Sequence, residues 1–256
     1  MDDSVSAASL GAVVRASLLL AAAFAAVAAL VVGGGFGGID QWAVEHTMLW
    51  LSPETHPQTV ASIMLPFRGG TPAGEIPLDL WTYPASVPLS ALVLALGCAV
   101  LWRRGSRAGA LAWAAAWVVG DSVEVLGKGV LERPGLHATF DGVRRHLVGF
   151  DGSFPSGHTL RGVLVAVLVG LVWRGARPVA ALWAAGTLAL LVVTSAHTPS
   201  DVLGGALLAG ALAAAASAVT ERAPDGGGER VDVLVGRVPG GHPADDPARL
   251  VPDVER

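Results

Sequence analysis

The sequence predicts an all-α, polytopic integral membrane protein: six transmembrane helices in a bundle, with its candidate active-site loops on the extracytoplasmic side. Three observations predict it. The chain is 52% hydrophobic and only 15% charged, against about 25% charged residues in an ordinary soluble domain. Its apolar residues gather into six runs, several of them close to the ~20 residues that cross a bilayer. Outside a few polar segments at the run boundaries, the runs are almost purely Ala, Leu, Val and Gly.

The first run, 13–32, is longer than a signal-peptide core of about 7–15 residues and has only Arg15 as a nearby positive charge, so it reads as a span. A loop over 33–86 follows, with Trp42, Trp50, Phe67, Trp81 and Tyr83 suited to the headgroup region; within it, 56–67 can lie in the interface as a short helix. The second run, 87–102, is somewhat short and joins the third, 108–126, through Arg103, Arg104 and Arg107. A second long loop covers 127–154. The fourth and fifth runs, 159–173 and 178–195, meet at Arg174 and Arg177, and the sixth, 202–219, begins just after His197–Asp201. Residues 221–256 are rich in Gly, Pro, Asp and Arg and read as a disordered cytoplasmic tail, leaving 1–220 as the membrane domain.

Six spans place both termini on one side. That side collects Arg15, Arg103, Arg104, Arg107, Arg174, Arg177 and Arg222. The other holds Arg68, Lys128, Arg133, Arg144 and Arg145. The positive-inside rule therefore predicts a multi-pass cell-membrane protein with cytoplasmic termini and the His158 and His197 segments outside. A net charge of −4 argues against a nucleic-acid partner. Cys98 stands alone, which excludes an intramolecular disulfide and a cysteine-based metal site.

Three polar segments carry chemistry. His197 and Asp201 are four residues apart at the start of the last run. Thr198 and Asp201 can form a capping box there. The same carboxylate can hold one imidazole nitrogen and leave the other as a nucleophile. In Pro155-Ser156-Gly157-His158, Ser156 can cap the fourth helix. Its open amides attract phosphate oxygens, Gly157 allows close backbone approach, and His158 can act as a general acid. Asp121, Glu124 and Lys128 share one helical face, and Arg133 follows. Lys128, the sole lysine, can pair with Glu124 at i,i+4 or neutralise a phosphate, and Arg133 can grip two oxygens as a fork. Arg161 lies one turn beyond His158 and needs an anionic partner unless it snorkels to the headgroups. Arg144 and Arg145 suit a solvated loop face.

These segments resemble the type 2 phosphatidic acid phosphatase superfamily, which includes the vanadium haloperoxidases. That family shows a lysine followed by Arg-Pro, then Pro-Ser-Gly-His, then Ser-Arg followed after five residues by His-x-x-x-Asp. The matching stretch runs over 128–205, and the six-span layout extends it to about 10–220. The resemblance implies His197 as nucleophile through a phosphohistidine, Asp201 as its orienting partner and His158 as general acid. It implies phosphate binding by Lys128, Arg133, Ser156 and Gly157, with no metal or other cofactor. It also implies a lipid phosphate as substrate: a polyprenyl (di)phosphate, phosphatidylglycerophosphate or phosphatidic acid. The sequence departs from the family in three places. Four residues rather than six separate Lys128 from Arg133, Gly135 stands where a second arginine is common, and Leu191 stands where the third motif has arginine. Arg161 is the candidate replacement. The alternative function is a non-catalytic relative that binds anionic lipid or a membrane partner; a transporter would need polar groups along several spans.

Overall fold

The computed structural model describes residues 3–48 and 80–222. The interfacial helix expected over 56–67 and almost all of the expected tail lie outside these residues. Seven α-helices and one β-hairpin are present among them: α1 Asp3–Val32, α2 Gly37–His46, α3 Val87–Arg103, α4 Arg107–Val130, β1 His137–Phe140, β2 Val143–His146, α5 Gly157–Val172, α6 Arg177–Val193 and α7 Pro199–Arg222.

Six of the helices fall on the six apolar runs. Four helical stretches are long and apolar enough to cross a membrane: Gly11–Val32, Arg107–Val130, Arg174–Val193 and Pro199–Arg222. The other two, α3 and α5, have 17 and 16 residues. Sixteen residues rise about 24 Å, short of a hydrocarbon core of about 30 Å. Leu18, Leu19, Leu111, Val118, Val125, Leu126, Val179 and Leu182 are exposed on α1, α4 and α6. An outward apolar surface of this kind is a liability in water and the favoured state in lipid.

Local chemistry sets the helix boundaries. α1 stops at Gly33–Gly35, where Gly34 takes φ 77° and the Gly33 and Gly35 amides turn back onto Ala29 and Leu30 carbonyls at 2.9 and 2.7 Å. Proline in the first turn opens both α3 and α6. Ser156 caps α5 by accepting from the Thr159 amide at 3.3 Å.

α5 is the central helix, packed against α3, α4, α6 and α7. Its Leu160, Leu164 and Leu168 enter a core with Leu94, Leu101, Trp113 and Leu208. α1 packs along α7. The two run antiparallel, since Ser17 Oγ donates to the Ala211 carbonyl at 2.8 Å while Phe24, further along α1, stacks on Phe154, which meets Gly204 nearer the start of α7. The end of α1 and the start of α7 therefore share a level, and α2 emerges above it.

Both regions expected as loops contain regular secondary structure. α2 forms within 33–86 because Asp40, Ala43 and Val44 share one face and bury it. Within 127–154, Asp141 and Gly142 adopt φ 52° and 76°, the positive pair that a tight two-residue hairpin turn requires. β1 pairs antiparallel with β2, from His137 opposite His146 to Phe140 opposite Val143. Gln41 on α2 ties to the hairpin through both amide atoms, donating to the His137 carbonyl at 2.7 Å and accepting from its amide at 3.1 Å. Val44, Met48, Leu136, Leu147 and Phe150 form a small apolar core beneath.

The loop before α5 lies directly on α7, and Gly204 allows it: a Cβ there would overlap the Phe154 ring. Gly204→Leu should therefore lower the thermal midpoint of the detergent-solubilised protein, by the equivalent of about 1–3 kcal/mol for overpacking. Gly129→Leu, where a Cβ meets nothing within 4 Å, should leave it nearly unchanged.

Candidate functional site

The starts of α5 and α7 come together above the end of α1. The Ser156 amide donates to the Asp201 carbonyl at 3.0 Å, which locks the turn before α5 onto the first turn of α7. This lock sets the His158 segment beside the His197 segment. His158 is half-buried, and His197 is almost wholly buried.

Behind His197 lies a dense polar network. Asp201 is fully buried, and its Oδ2 accepts from Ser153 Oγ at 2.7 Å and from the Thr198 amide at 3.0 Å. Thr198 Oγ1 in return accepts from the Asp201 amide at 3.4 Å. The expected capping box is therefore formed. His197 Nδ1 stands 3.5 Å from Asp201 Oδ2. That is ion-pair distance but beyond a hydrogen bond, and Nδ1 has no hydrogen-bond partner among the described residues. Three donors already fix the plane of the carboxylate, so the ring is set against an immobile acceptor. Nδ1 is thus the buried ring nitrogen that faces Asp201.

Arg133 closes this network from the other side. Its Nη1 donates to Asp201 Oδ1 at 3.1 Å and to Thr198 Oγ1 at 3.0 Å, and its Nη2 pairs closely with Asp40 Oδ2. Asp40 is fully buried and also accepts from the Ser200 amide at 3.0 Å and from Ser200 Oγ at 2.6 Å. The fork expected on phosphate thus holds two buried carboxylates here. Asp40, Ser153 and Ser200 were not singled out by the sequence. Asp40 falls in a stretch read as loop, about 160 residues from its partner Ser200, and only the α2 periodicity of Asp40, Ala43 and Val44 could have hinted that it faces inward.

A second network surrounds the start of α5. Arg161 is buried and does not snorkel: Nε donates to the Ala85 carbonyl at 2.9 Å, and Nη1 pairs with Asp121 at 2.9 Å and with Glu124 at 2.6 Å. Its Nη2 is buried without a partner among the described residues. Lys128 pairs with Glu124 at 2.7 Å, the i,i+4 contact that the helical spacing allows. The Glu124 carboxylate lies against Gly157, so close that a Cβ at that position would overlap it. An anionic group therefore already rests at the positive end of α5. The first two amides of α5, those of Gly157 and His158, have no acceptor among the described residues.

Leu191 is buried near the end of α6, and its carbonyl accepts from the Ala196 and His197 amides at 3.0 and 2.9 Å. Its side chain supplies no charge. Arg144 and Arg145 lie exposed on β2.

Residues 107–225 match the family model of the PAP2 superfamily. Among solved structures, the chain resembles the crystal structure described as the first transmembrane PAP2 type phosphatidylglycerolphosphate phosphatase from Bacillus subtilis. The identity is 15% and the TM-score 0.53, over 77% of this chain and 92% of that one. A likeness at that identity is one of fold. No curated protein sequence matches significantly.

Removing Arg133 leaves two buried carboxylates uncompensated. Arg133→Met should destabilise the solubilised protein by about 3–5 kcal/mol, read as a large fall in thermal midpoint. Glu132→Met, at an exposed neighbouring position, should change it little.

Proposed function

We propose, from the match of residues 107–225 to the PAP2 superfamily model, that this chain is an integral-membrane lipid phosphate or diphosphate phosphatase working through a phosphohistidine on His197, without a metal. The reading rests on one observation: the turn before His158 is locked onto the first turn of α7, with Asp201 held by three donors beside His197.

The steps use only these side chains. A neutral His197 carries its proton on Nδ1 toward Asp201, which leaves the Nε2 lone pair free to attack phosphorus. As the N–P bond forms, the P–O bond to the lipid breaks, and His158 gives its proton to the departing oxygen. His158 then takes a proton from water as the water oxygen attacks phosphorus. The N–P bond breaks, and inorganic phosphate leaves. Asp201 stabilises the imidazolium character that develops on His197 during attack.

Phosphate binding falls to the start of α5. The Gly157 and His158 amides, the unused donors of Lys128 and the unpartnered Arg161 Nη2 supply positive potential there. Ser156 sets the helix start. Arg133 supports Asp201 instead of gripping phosphate, and Arg161 takes over the charge that the family's third-motif arginine would bring to position 191. Glu124 yields its two cations in part to the incoming phosphate.

In the membrane, α1, α3, α4, α5, α6 and α7 would be the six spans of the bundle, with 1–220 as one domain and 221–256 as a cytoplasmic tail. The termini would be cytoplasmic and the site extracytoplasmic, open to lipid headgroups. Polyprenyl (di)phosphate, phosphatidylglycerophosphate and phosphatidic acid all fit as substrates.

Purified protein should release inorganic phosphate from at least one of these lipids without added metal, and vanadate should inhibit. His197→Ala should abolish release; turnover that persists in this variant rejects the assigned nucleophile. Leu191 and the engagement of Arg133 favour a second reading, a non-catalytic anionic-lipid binder. Absence of both vanadate binding and turnover across the panel would select it.

Arg161→Ala should cut kcat/KM by about 10²–10³, the cost of one lost donor in a water-excluded site. Arg144→Ala, on the exposed strand, should change it less than threefold or so. Equal, small effects would remove Arg161 from the phosphate site.

A further inference from the structure

The residue that decides what Arg133 does lies outside the segment that matches the family model. Asp40 is on α2, more than sixty positions before residue 107, where the match begins. It is fully buried, and both of its oxygens are used. Oδ1 accepts from the Ser200 amide at 3.0 Å. Oδ2 accepts from Ser200 Oγ at 2.6 Å and from Arg133 Nη2. Arg133 in turn reaches Asp201 and Thr198 through Nη1. A continuous chain of charged contacts thus runs from Asp40 through Arg133 to Asp201, and Asp201 faces His197 Nδ1.

We propose that Asp40 is a positioning residue of the His197–Asp201 pair: it holds the Arg133 guanidinium against Asp201. The inference rests on the phosphatase reading above. Three features carry it. The guanidinium is a planar fork, and anchoring one of its terminal nitrogens fixes the direction of the other. The Asp40 carboxylate is itself fixed by two bonds to Ser200, which lies next to Asp201 on the same helical turn. α2 is in turn held by Gln41 and the hairpin, so Asp40 rests on a braced element. Without the Asp40 charge, Arg133 gains freedom to swing toward any anion in the pocket, and the Asp201 carboxylate loses its fixed plane.

An acid at a helix start can also be purely structural, stabilising α7 through its dipole. The two roles separate by readout. The isosteric Asp40→Asn should lower kcat by about tenfold or more with KM within about twofold, since loss of orientation acts on the reacting geometry. Its effect should not multiply with that of Arg133→Lys, because both changes break one network. In ¹⁵N-histidine spectra, the Nδ1 signal assigned to His197 should shift or broaden in Asp40→Asn. Ser200→Ala, which removes one of the Asp40 bonds and keeps its charge, should give a smaller loss of kcat at unchanged KM; it is the variant to judge by if Asp40→Asn does not fold. Wild-type kcat in a variant that is merely less stable, or effects that multiply fully with Arg133→Lys, would overturn the proposal. If the unaltered protein releases no phosphate, the phosphatase reading falls, and the Asp40 assignment is decided by the spectrum alone: an unchanged His197 Nδ1 signal overturns it.

Discussion

One guanidinium between two buried carboxylates organises this site. Arg133 ties α2 to the first turn of α7 by pairing with Asp40 and Asp201. Charges taken out of water cost several kcal/mol each unless they are paired and hydrogen-bonded. Here the three ions also engage Ser153, Thr198 and Ser200; although Arg133 Nε finds no partner among the described residues, every oxygen of both carboxylates is matched. That saturation makes Asp201 a rigid wall for His197. A carboxylate with three fixed donors cannot rotate to follow the ring, so the orientation of the imidazole is determined by packing rather than by a single hydrogen bond.

The second network solves a related problem at the start of α5. Arg161 is an arginine inside an apolar helix, and it is tolerable there because Asp121 and Glu124 sit on the facing side of α4. Lys128 shares Glu124 from one turn further on. The result is a near-neutral cluster beside open helix amides, with Glu124 resting at Gly157 in the place an anion prefers. Small residues make the approach feasible: a side chain at Gly157 would displace Glu124, and one at Gly204 would push the Phe154 loop off α7. The positions of His158 and His197 therefore depend on glycines that carry no chemistry themselves.

Much of this was legible in the sequence. The six apolar runs fell on six helices, and the Thr198–Asp201 capping box and the Glu124–Lys128 pair followed from helical spacing. The hairpin at Asp141-Gly142 was missed, since the sequence predicts only a loop over 127–154. What the sequence could not reveal was pairing across long separations. Nothing local marks Asp40 as the partner of Arg133 and Ser200, because that contact exists only once α1 and α7 have packed antiparallel. Nor does spacing say whether a buried arginine faces substrate or a neighbouring acid. Both Arg133 and Arg161 turned out to hold carboxylates, and each keeps one buried nitrogen, Nε and Nη2 respectively, without a partner among the described residues.

The proposed phosphatase chemistry requires a phosphoryl group to rest against His197. A structure of the protein with bound vanadate measures this directly. Vanadium is expected at His197 Nε2, its oxygens on the Gly157 and His158 amides, Lys128 and Arg161, with Arg133 still paired to Asp40 and Asp201. Vanadate held by Arg133, or bound away from His197, would contradict it.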